Sequence, residues 1–315
     1  PWPSSSPGPT PAGGLSPSRS CPPTIPRQAC ASWHCSAAAP SNSPVTNPTS
    51  GPDDRAFFEV DGDLVLPLPL TGGPWSPDEQ HGGSVAGILA HLVEGVPTAV
   101  PMRVCRHTVE LMRGAPMRPL RGETEVVRDG RRLQVIRSSL FDGDREVARS
   151  MTVRLRVSDS ATPFDEDLMR HDEDEPPPLP DESATLTMPG TGIPGFLHGV
   201  ELRRPGGEFR TGAPGLLWLR MYRQFVAGIP TSPYVRMAAV ADMLSMVASH
   251  LDPSEWLTVN VDLDLHTFRD PVGEWIGLRG LHKNVGDGIG LSEAVLYDLE
   301  GRIGRGTATI LIDRR

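Results

Sequence analysis

The chain has 315 residues, a formal net charge of −9 and a pI near 5.5. This length allows two domains with ordinary hydrophobic cores. The acidic balance excludes nucleic acid as an expected partner, because binding phosphates needs a basic surface. The sequence contains no apolar run of the roughly eighteen residues that a membrane span requires, so no span is predicted.

The cysteines indicate the redox setting. Three of the four lie near the N-terminus, at Cys21, Cys30 and Cys35, and Cys105 stands alone further on. This distribution favours a reducing, cytoplasmic setting without a disulfide framework. Cys30, His34 and Cys35 lack the spacing of a zinc knuckle, so we predict neither a metal site nor another cofactor.

The first segment, residues 1–53, is rich in Pro, Ser, Ala and Thr. Such a composition buries too little apolar surface to order itself, so we predict a disordered tail. A second break runs over residues 158–195, where acidic runs and the triple proline 176–178 indicate an extended, solvated linker. Two folded domains are expected between and after these breaks, over residues 54–157 and 196–315.

The first domain is predicted to contain one helix over residues 81–94, followed by an antiparallel set of strands. Apolar residues recur at helical spacing through "SVAGILAHLVEG", and Gly95 with Pro97 forms a stop signal. The strands that follow turn at Asp129-Gly130 and Asp142-Gly143, which are hairpin dipeptides. His81, Gly82 and Gly83 stand at the start of this helix, and glycines there allow a close approach of the backbone, either to a ligand or to a packed neighbour.

The second domain repeats this plan at an offset of about 156 positions. The offset places "LFD" at 140–142 on "LYD" at 296–298, and it places the first helix on residues 237–250. We therefore predict an internal duplication in which one helix and an antiparallel sheet occur twice, an α+β fold.

Asp242 is an acid in the middle of this apolar second helix. A carboxylate is rarely buried without a partner, because its desolvation is costly. It could be a hydrogen-bonded structural residue, or a general base in a semi-apolar pocket, where burial raises the pKa of a carboxylate into a useful range. Further on, Asn260, Asp262, Asp264 and His266 alternate with apolar residues and are predicted to share one strand face, which is solvated or lies between the domains.

Several motifs together resemble a known family: "HGGSVAGILAHL", "MRPLRGETEVVRDG", "NVDLDLHTFRDPVGEW" and "GIGLSEAVLYDLEGRIGR". They are similar to the thioesterase-like superfamily, of the acyl-CoA thioesterase II type. The resemblance implies two fused hotdog folds, each a long central helix wrapped by an antiparallel sheet. It also implies hydrolysis of acyl-CoA to free acid and CoA without a metal, and it allows a homo-oligomer formed through the hotdog sheets.

The resemblance implies a catalytic set made of Asp242, Asn260 and Thr309. Asp242 falls on the family's catalytic acid and Asn260 on its hydroxyl-bearing strand residue, although alignment on Glu274-Trp275 selects Thr258 instead. The family's glutamine near the start of the last strand is missing, and Thr309 or Thr307 is the nearest polar replacement. The expected substrate-binding residues are His81, Gly82, Gly83, Thr258 and Thr307.

Two other functions remain open from the sequence. An acyl-CoA-binding protein with weak or no catalysis would account for the missing glutamine. A hotdog enzyme of the enoyl-CoA hydratase type is the other alternative, although the Asp-and-His loop expected of that activity is missing from this sequence.

Overall fold

A computed structural model describes residues 55–158, 169, 171, 174–181, 185–186, 195–204 and 215–315. The predicted tail, residues 1–53, lies outside the described residues, as does most of the predicted linker. The longest described helix has 13 residues, and none of the described helices is long and apolar enough to cross a membrane.

The N-terminal half of the described chain has one helix and six strands. The helix and strands are β1 (Ala56–Asp61), β2 (Leu64–Pro67), α1 (Gly82–Glu94), β3 (Met102–Leu111), β4 (Leu120–Asp129), β5 (Leu133–Asp142) and β6 (Arg145–Arg156). The predicted hairpin dipeptides lie where expected, between β4 and β5 and between β5 and β6. Gly143 has φ of +61°, a conformation that favours glycine.

In the C-terminal half, the elements that the structure describes are eight strands and two shorter helices. They are β7 (Val200–Arg203), β8 (Gly215–Met221), β9 (Gln224–Val226), α2 (Pro233–Ala241), α3 (Leu244–Val247), β10 (Trp256–Asn260), β11 (Asp262–Thr267), β12 (Trp275–Asn284), β13 (Ile289–Asp298) and β14 (Gly301–Arg314). Short 3-10 helices at Pro69–Thr71 and Phe196–Gly199 complete the described elements.

The fourteen strands among the described residues belong to one sheet whose order is nearly symmetric. It runs β7-β8-β12-β13-β14-β11 and continues as β3-β6-β5-β4-β2-β1, with β9 beside β1 and β10 paired to β14. β3 and β11 pair antiparallel and join the two halves. The β5–β6 and β13–β14 hairpins each carry a register shift, after Leu140 and after Leu296 respectively. These positions differ by the offset that relates the two halves of the sequence.

The core lies between the helices and one face of this sheet. α1 packs against α2 at short range, because Gly87 of α1 has no side chain where Phe225 and Ala239 approach it. A Cβ on Gly87 would lie 2.4 Å from the Phe225 ring and 2.9 Å from the Ala239 Cβ. The small residues on α1 therefore determine how closely the helices of the two halves meet.

The prediction of one helix over residues 237–250 is wrong in its start and its continuity. The helix begins earlier, at Pro233, where the Ser232 hydroxyl accepts a hydrogen bond from the Val235 N–H. A serine followed by proline is a strong helix start, and it lies outside the range that the offset selects. The helix also stops at Ala241, and a separate turn, α3, follows. Asp242 is the residue at which the break occurs.

Part of the predicted linker contacts the outer face of the sheet. Leu179 packs against a buried aromatic cluster that includes Trp218 and Tyr297. The Arg203 guanidinium donates a hydrogen bond to the Pro180 carbonyl over 3.1 Å. Leu179 of the predicted linker is thus packed on large apolar side chains of β8 and β13.

Candidate active site

Asp242 lies at the C-terminal end of α2 and is 6% exposed. Its carboxylate accepts a hydrogen bond from the Asn260 side-chain amide, at 2.6 Å from Nδ2 to Oδ1. The same amide donates to the Asp242 backbone carbonyl over 2.7 Å. One side chain from β10 therefore binds both the carboxylate and the helix terminus, and this explains why the chain leaves the helical path at this residue.

Asn260 is turned toward the core because the strand bends directly after it. Val261 separates β10 from β11, and its N–H donates to the Thr309 carbonyl. Asn260 is 7% exposed, whereas the next residue, Val261, is 39% exposed. The prediction that Asn260 shares one face with Asp262, Asp264 and His266 is therefore wrong, since only those three follow one another on the outer face of β11.

The orientation of the Asn260 amide follows from its neighbours. Nδ2 contacts two acceptors of Asp242, so exchanging the oxygen and nitrogen positions would place an acceptor against both. The other amide atom, Oδ1, is buried and has no hydrogen-bond partner within the part of the chain that the structure describes. A buried acceptor without a donor costs free energy unless a water or a ligand supplies one. The site therefore offers an acceptor beside the carboxylate.

His81 approaches the same carboxylate from the other half of the molecule. It caps the N-terminus of α1, where its Nδ1 accepts a hydrogen bond from the Gly83 N–H over 3.0 Å. The same Nδ1 lies 3.1 Å from Asp242 Oδ2. The imidazole is stacked on Phe196, with ring centroids 4.4 Å apart and an interplanar angle of 12°. His81 is thus fixed on one face by Phe196 and faces Asp242 at its edge.

The two glycines of the His-Gly-Gly motif permit this approach. A Cβ on Gly82 would lie 2.7 and 2.8 Å from the two carboxylate oxygens of Asp242. A Cβ on Gly83 would lie 2.4 Å from the Ala239 carbonyl oxygen. All three distances are under 3.0 Å, so a side chain at either position would force its neighbour to shift. The motif therefore brings the N-terminus of α1 directly onto Asp242 and α2.

Helix dipoles act on Asp242 with opposite signs. As the residue that ends α2, it lies near the partial negative charge of that helix, which disfavours a carboxylate. The N-terminus of α1 supplies partial positive charge next to the carboxylate, because Gly82 in its first turn contacts it. Among the described residues, Asn260 and His81 are the side chains whose polar atoms contact the carboxylate, and neither carries a fixed charge.

The structure does not bring the predicted threonines to this site. Thr309 is exposed, and its hydroxyl donates to Asp262 over 3.0 Å on the outer face of the sheet. Thr307 is exposed on the same face of β14. The prediction that Thr309 or Thr307 takes the place of the family glutamine is therefore wrong in geometry, since side chains alternate along a strand and Ile310 points to the core. Thr258 is half-buried on β10, and its residue pairs with Ile312.

A second buried polar cluster lies between the halves. The His107 ring nitrogen Nδ1 lies 2.8 Å from the Thr152 hydroxyl and 2.8 Å from the Tyr234 hydroxyl. Burial lowers the pKa of His107 to about 4, so its imidazole is neutral in the folded protein near neutral pH. Burial also raises the pKa of Tyr234. No cluster of three or more potential metal ligands occurs among the described residues.

The fold matches solved structures of hot dog proteins. A hot dog protein of unknown function from Alicyclobacillus acidocaldarius is 16% identical, with a TM-score of 0.62, over 85% of this chain and 99% of that chain. The acyl-CoA thioesterase II of Mycobacterium marinum is 16% identical, with a TM-score of 0.54, over 74% and 89%. The tesB protein of Mycobacterium avium subspecies paratuberculosis is 14% identical, with a TM-score of 0.56, over 81% and 96%. At these identities the likeness shows the hot dog fold.

The family follows from two domain models. The acyl-CoA thioesterase N-terminal domain matches residues 71–155, and the acyl-CoA thioesterase C-terminal domain matches residues 172–312. This chain therefore belongs to the acyl-CoA thioesterase family. None of the curated proteins matches it.

Proposed function

We propose that this protein hydrolyses acyl-CoA thioesters to the free acid and CoA, with Asp242 as the general base. We further propose that residues 54–157 and 196–315 are two hot dog domains fused in one chain. The near-mirror order of the strands about the β3–β11 pair supports the second proposal. The observation that carries the first is the buried carboxylate of Asp242 beside the unpartnered Oδ1 of Asn260.

Asp242 and Asn260 offer two acceptors to one water molecule. Asp242 accepts one proton of the water as the oxygen attacks the thioester carbon, and Asn260 Oδ1 accepts a hydrogen bond from the other proton. A water held in this way loses its orientational entropy when it binds, so this loss no longer adds to the barrier of the reaction. Hydrolysis of a thioester then needs no covalent enzyme intermediate, because the thioester carbon is already electrophilic.

The oxyanion that develops on the thioester carbonyl needs a donor. Gly83 does not supply one in this arrangement, because its N–H donates to His81. The Gly82 N–H, at the start of α1, is the donor that we assign to this role. Backbone donors at a helix N-terminus stabilise developing negative charge without reorganising.

The alternative function is an acyl-CoA-binding protein that lacks efficient catalysis. The outward orientation of Thr309 favours it, since the position of the family glutamine then offers nothing to the site. The thioesterase and the binding protein predict different results in one assay.

The assay measures the release of free thiol from acyl-CoA substrates that range from acetyl-CoA to long-chain acyl-CoA. Our proposal predicts saturable, enzyme-dependent thiol release with at least one chain length. Binding of acyl-CoA by calorimetry without thiol release above the uncatalysed rate would replace the thioesterase with the binding protein. The absence of both binding and thiol release would contradict both functions.

A further inference from the structure

The bond that caps α1 determines which ring nitrogen of His81 carries a proton. Nδ1 accepts a hydrogen bond from the Gly83 N–H over 3.0 Å, so this nitrogen presents its lone pair and is not protonated. Asp242 Oδ2 lies 3.1 Å from the same nitrogen but makes no hydrogen bond with it. An imidazole with a bare Nδ1 carries its one proton on Nε2. His81 is therefore a neutral hydrogen-bond donor at Nε2.

This Nε2–H donor is free and can be reached from outside the protein. His81 is 8% exposed, and its Nε2 has no hydrogen-bond partner among the described residues. The Nε2 atoms of His107 and His282 also lack a partner, but they are enclosed by protein, whereas that of His81 is not. An atom of a substrate can therefore accept a hydrogen bond from His81.

Three contacts fix the direction in which the donor points. The Gly83 N–H holds the Nδ1 edge of the ring, and Phe196 covers one ring face with an interplanar angle of 12°. The His81 backbone N–H donates to the Thr71 carbonyl over 2.7 Å. Turning the ring over would place a carbon against the Gly83 N–H and break that bond. A donor that is held in one direction needs no reorganisation when charge develops in front of it.

We propose that His81 is a catalytic residue whose Nε2–H donates to the thioester carbonyl oxygen and stabilises the oxyanion together with the Gly82 N–H. This inference rests on the proposed thioesterase function. His81 and Gly82 are consecutive at the start of α1, and both lie against the Asp242 carboxylate. His81 Nδ1 is 3.1 Å from Oδ2, and a Cβ on Gly82 would lie 2.7 Å from Oδ1. Both donors are therefore next to the base that activates the water.

A neutral donor fits this place beside Asp242. A cation there would favour the charged carboxylate and make Asp242 a weaker base. A neutral ring N–H leaves the carboxylate its basicity, and its hydrogen bond strengthens as negative charge develops on the carbonyl oxygen. Neutral imidazole is known to polarise a carbonyl in this way in other enzymes.

The proton of His81 stays on the ring through the reaction. Asp242 takes one proton from the water while the water oxygen forms a bond to the thioester carbon. The carbon–sulfur bond then breaks, and Asp242 gives this proton to the CoA sulfur. The second proton of the water remains with the free acid. The oxyanion exists only between these two steps, so the His81 donor acts on the transition states that flank it.

The first test separates the two ends of the imidazole. Asn has its amide near the position of Nδ1, and Gln has its amide near the position of Nε2. His81→Asn therefore keeps an acceptor for the Gly83 N–H but loses the donor. We expect it to lower kcat about 10²–10³-fold, with KM changed by less than about threefold and an unchanged melting temperature, because Asn is a good helix cap.

His81→Gln makes the opposite change, since it keeps a donor near Nε2 and loses the cap. Its kcat should fall less than that of His81→Asn, and its melting temperature should fall more. If His81 only caps α1, the order of the two kcat values reverses, with His81→Asn close to the wild type. That order would overturn the catalytic role.

The second test needs no substrate. Nitrogen-15 NMR of labelled histidine distinguishes a ring nitrogen that carries a proton from a bare one, and His81→Asn assigns the signals of His81 by their loss. We expect a protonated Nε2 and a bare Nδ1 near neutral pH. A proton on Nδ1 would overturn the assignment of the donor.

A matched control uses an exposed histidine on the outer face of the sheet. His266 Nε2 lies 3.3 Å from Asp264 Oδ2, and the His266 side chain is 61% exposed. His266→Asn should leave kcat and KM unchanged. If the wild type releases thiol and His81→Asn has the same kcat, the donor role fails and the thioesterase proposal stands. If the wild type itself releases no thiol, the thioesterase proposal fails, and the donor role fails with it.

Discussion

At the scale of single residues, Gly82 and Gly83 have neighbours of different kinds. Gly82 faces the end of a side chain, the carboxylate of Asp242, whereas Gly83 faces the backbone carbonyl of Ala239. A side chain can move aside at little cost in stability, but a packed helix cannot. Substitution by alanine should therefore affect activity at the first glycine and stability at the second.

We expect Gly82→Ala to lower kcat at least about tenfold while the melting temperature changes little. The new methyl group displaces the Asp242 carboxylate, and alanine in a helix offsets part of the strain, by about 1 kcal/mol relative to glycine. Steady-state kinetics and thermal unfolding on the same sample measure both effects. Gly95→Ala is the control, because its Cβ would meet only the Leu92 carbonyl, at 3.4 Å. Wild-type kcat in a folded Gly82→Ala protein would contradict the geometry of the site.

Gly83→Ala should instead destabilise the fold. Its methyl group would lie 2.4 Å from the Ala239 carbonyl oxygen, and relief requires α1 and α2 to move apart. Overpacking of this kind typically costs about 1–3 kcal/mol in the free energy of unfolding. Urea unfolding measures the loss, and a stability equal to the wild type would show that the helices separate without cost.

The sequence predicted the close approach at these glycines but not what they approach. His-Gly-Gly before an apolar helix indicates that backbone must come near something, and this follows from the residue types alone. Its partner, Asp242, lies far away in sequence and meets it only because α1 and α2 pack across the two halves. The contact between Thr309 and Asp262 was not predicted for a similar reason. It depends on the bend at Val261, which turns Asn260 toward the core and Asp262 toward the outer face of the sheet.

At the scale of elements, the C-terminal end of α1 contacts a buried arginine of β6. Arg154 of β6 is 6% exposed, and its guanidinium donates to the carbonyls of Val93 and Val96 over 2.6 and 2.8 Å. It also donates to the Gln134 side chain. The Val93 carbonyl also accepts from the Val96 N–H, and Val96 lies just beyond the helix. The guanidinium thus adds a charged donor to the carbonyls at the end of α1, and its positive charge favours the negative end of the helix.

We expect Arg154→Met to lower the free energy of unfolding by about 2–4 kcal/mol, because it removes a buried charged donor from the carbonyls of Val93 and Val96. Chemical denaturation measures the change. Arg156→Met is the matched control, since Arg156 is an exposed residue on the same strand. Equal stability of the two variants would mean that water satisfies the end of α1 after the substitution.

The strands were more predictable than the helices. Alternating patterns and Asp-Gly turns place β4, β5 and β6 correctly, because period and turn chemistry are local properties. The break between α2 and α3 is not local. The apolar pattern continues through Asp242 and Met243, and the helix ends there because Asn260, on a distant strand, binds the Asp242 carbonyl and carboxylate.

At the scale of the whole molecule, His107 lies where the halves meet. It belongs to β3, the strand that pairs with β11, and it contacts Tyr234 of α2. Burial holds the pKa of His107 at about 4, below the 6.5 of a histidine in water. The unfolded chain therefore binds a proton as the pH falls below about 6.5, and the folded protein does not until the pH approaches 4. The contribution of His107 to the free energy of unfolding is therefore complete above pH 6.5 and is lost as the pH falls from about 6.5 to 4.

His107→Gln should flatten this part of the stability profile. We expect the wild type to lose on the order of 3 kcal/mol from this group between about pH 7 and pH 4, and the variant to lack that contribution. Urea unfolding at several pH values measures the slope. His266→Gln, at an exposed position, should retain the wild-type slope. A wild-type slope in His107→Gln would assign the acid sensitivity to other groups.

The two halves are expected to depend on each other. Residues 54–157 alone would expose the face of α1 that packs on α2 and the Phe57 and Phe58 side chains that stack near Phe225. An apolar surface of this kind causes association. We expect this segment, expressed by itself, to form oligomers or to aggregate in size-exclusion chromatography with light scattering. A folded, soluble monomer would contradict the dependence.

The most direct test of the account is the steady-state kcat/KM of Asp242→Asn for the acyl-CoA that the wild type hydrolyses best. The substitution keeps the shape of the side chain and the bond from Asn260 but removes the base, so we expect a loss of about 10²–10⁴ with an unchanged melting temperature. Asp264→Asn is the control, since Asp264 accepts from Thr108 on the outer face, and it should retain wild-type activity. Wild-type kcat/KM in a folded Asp242→Asn protein would contradict the account.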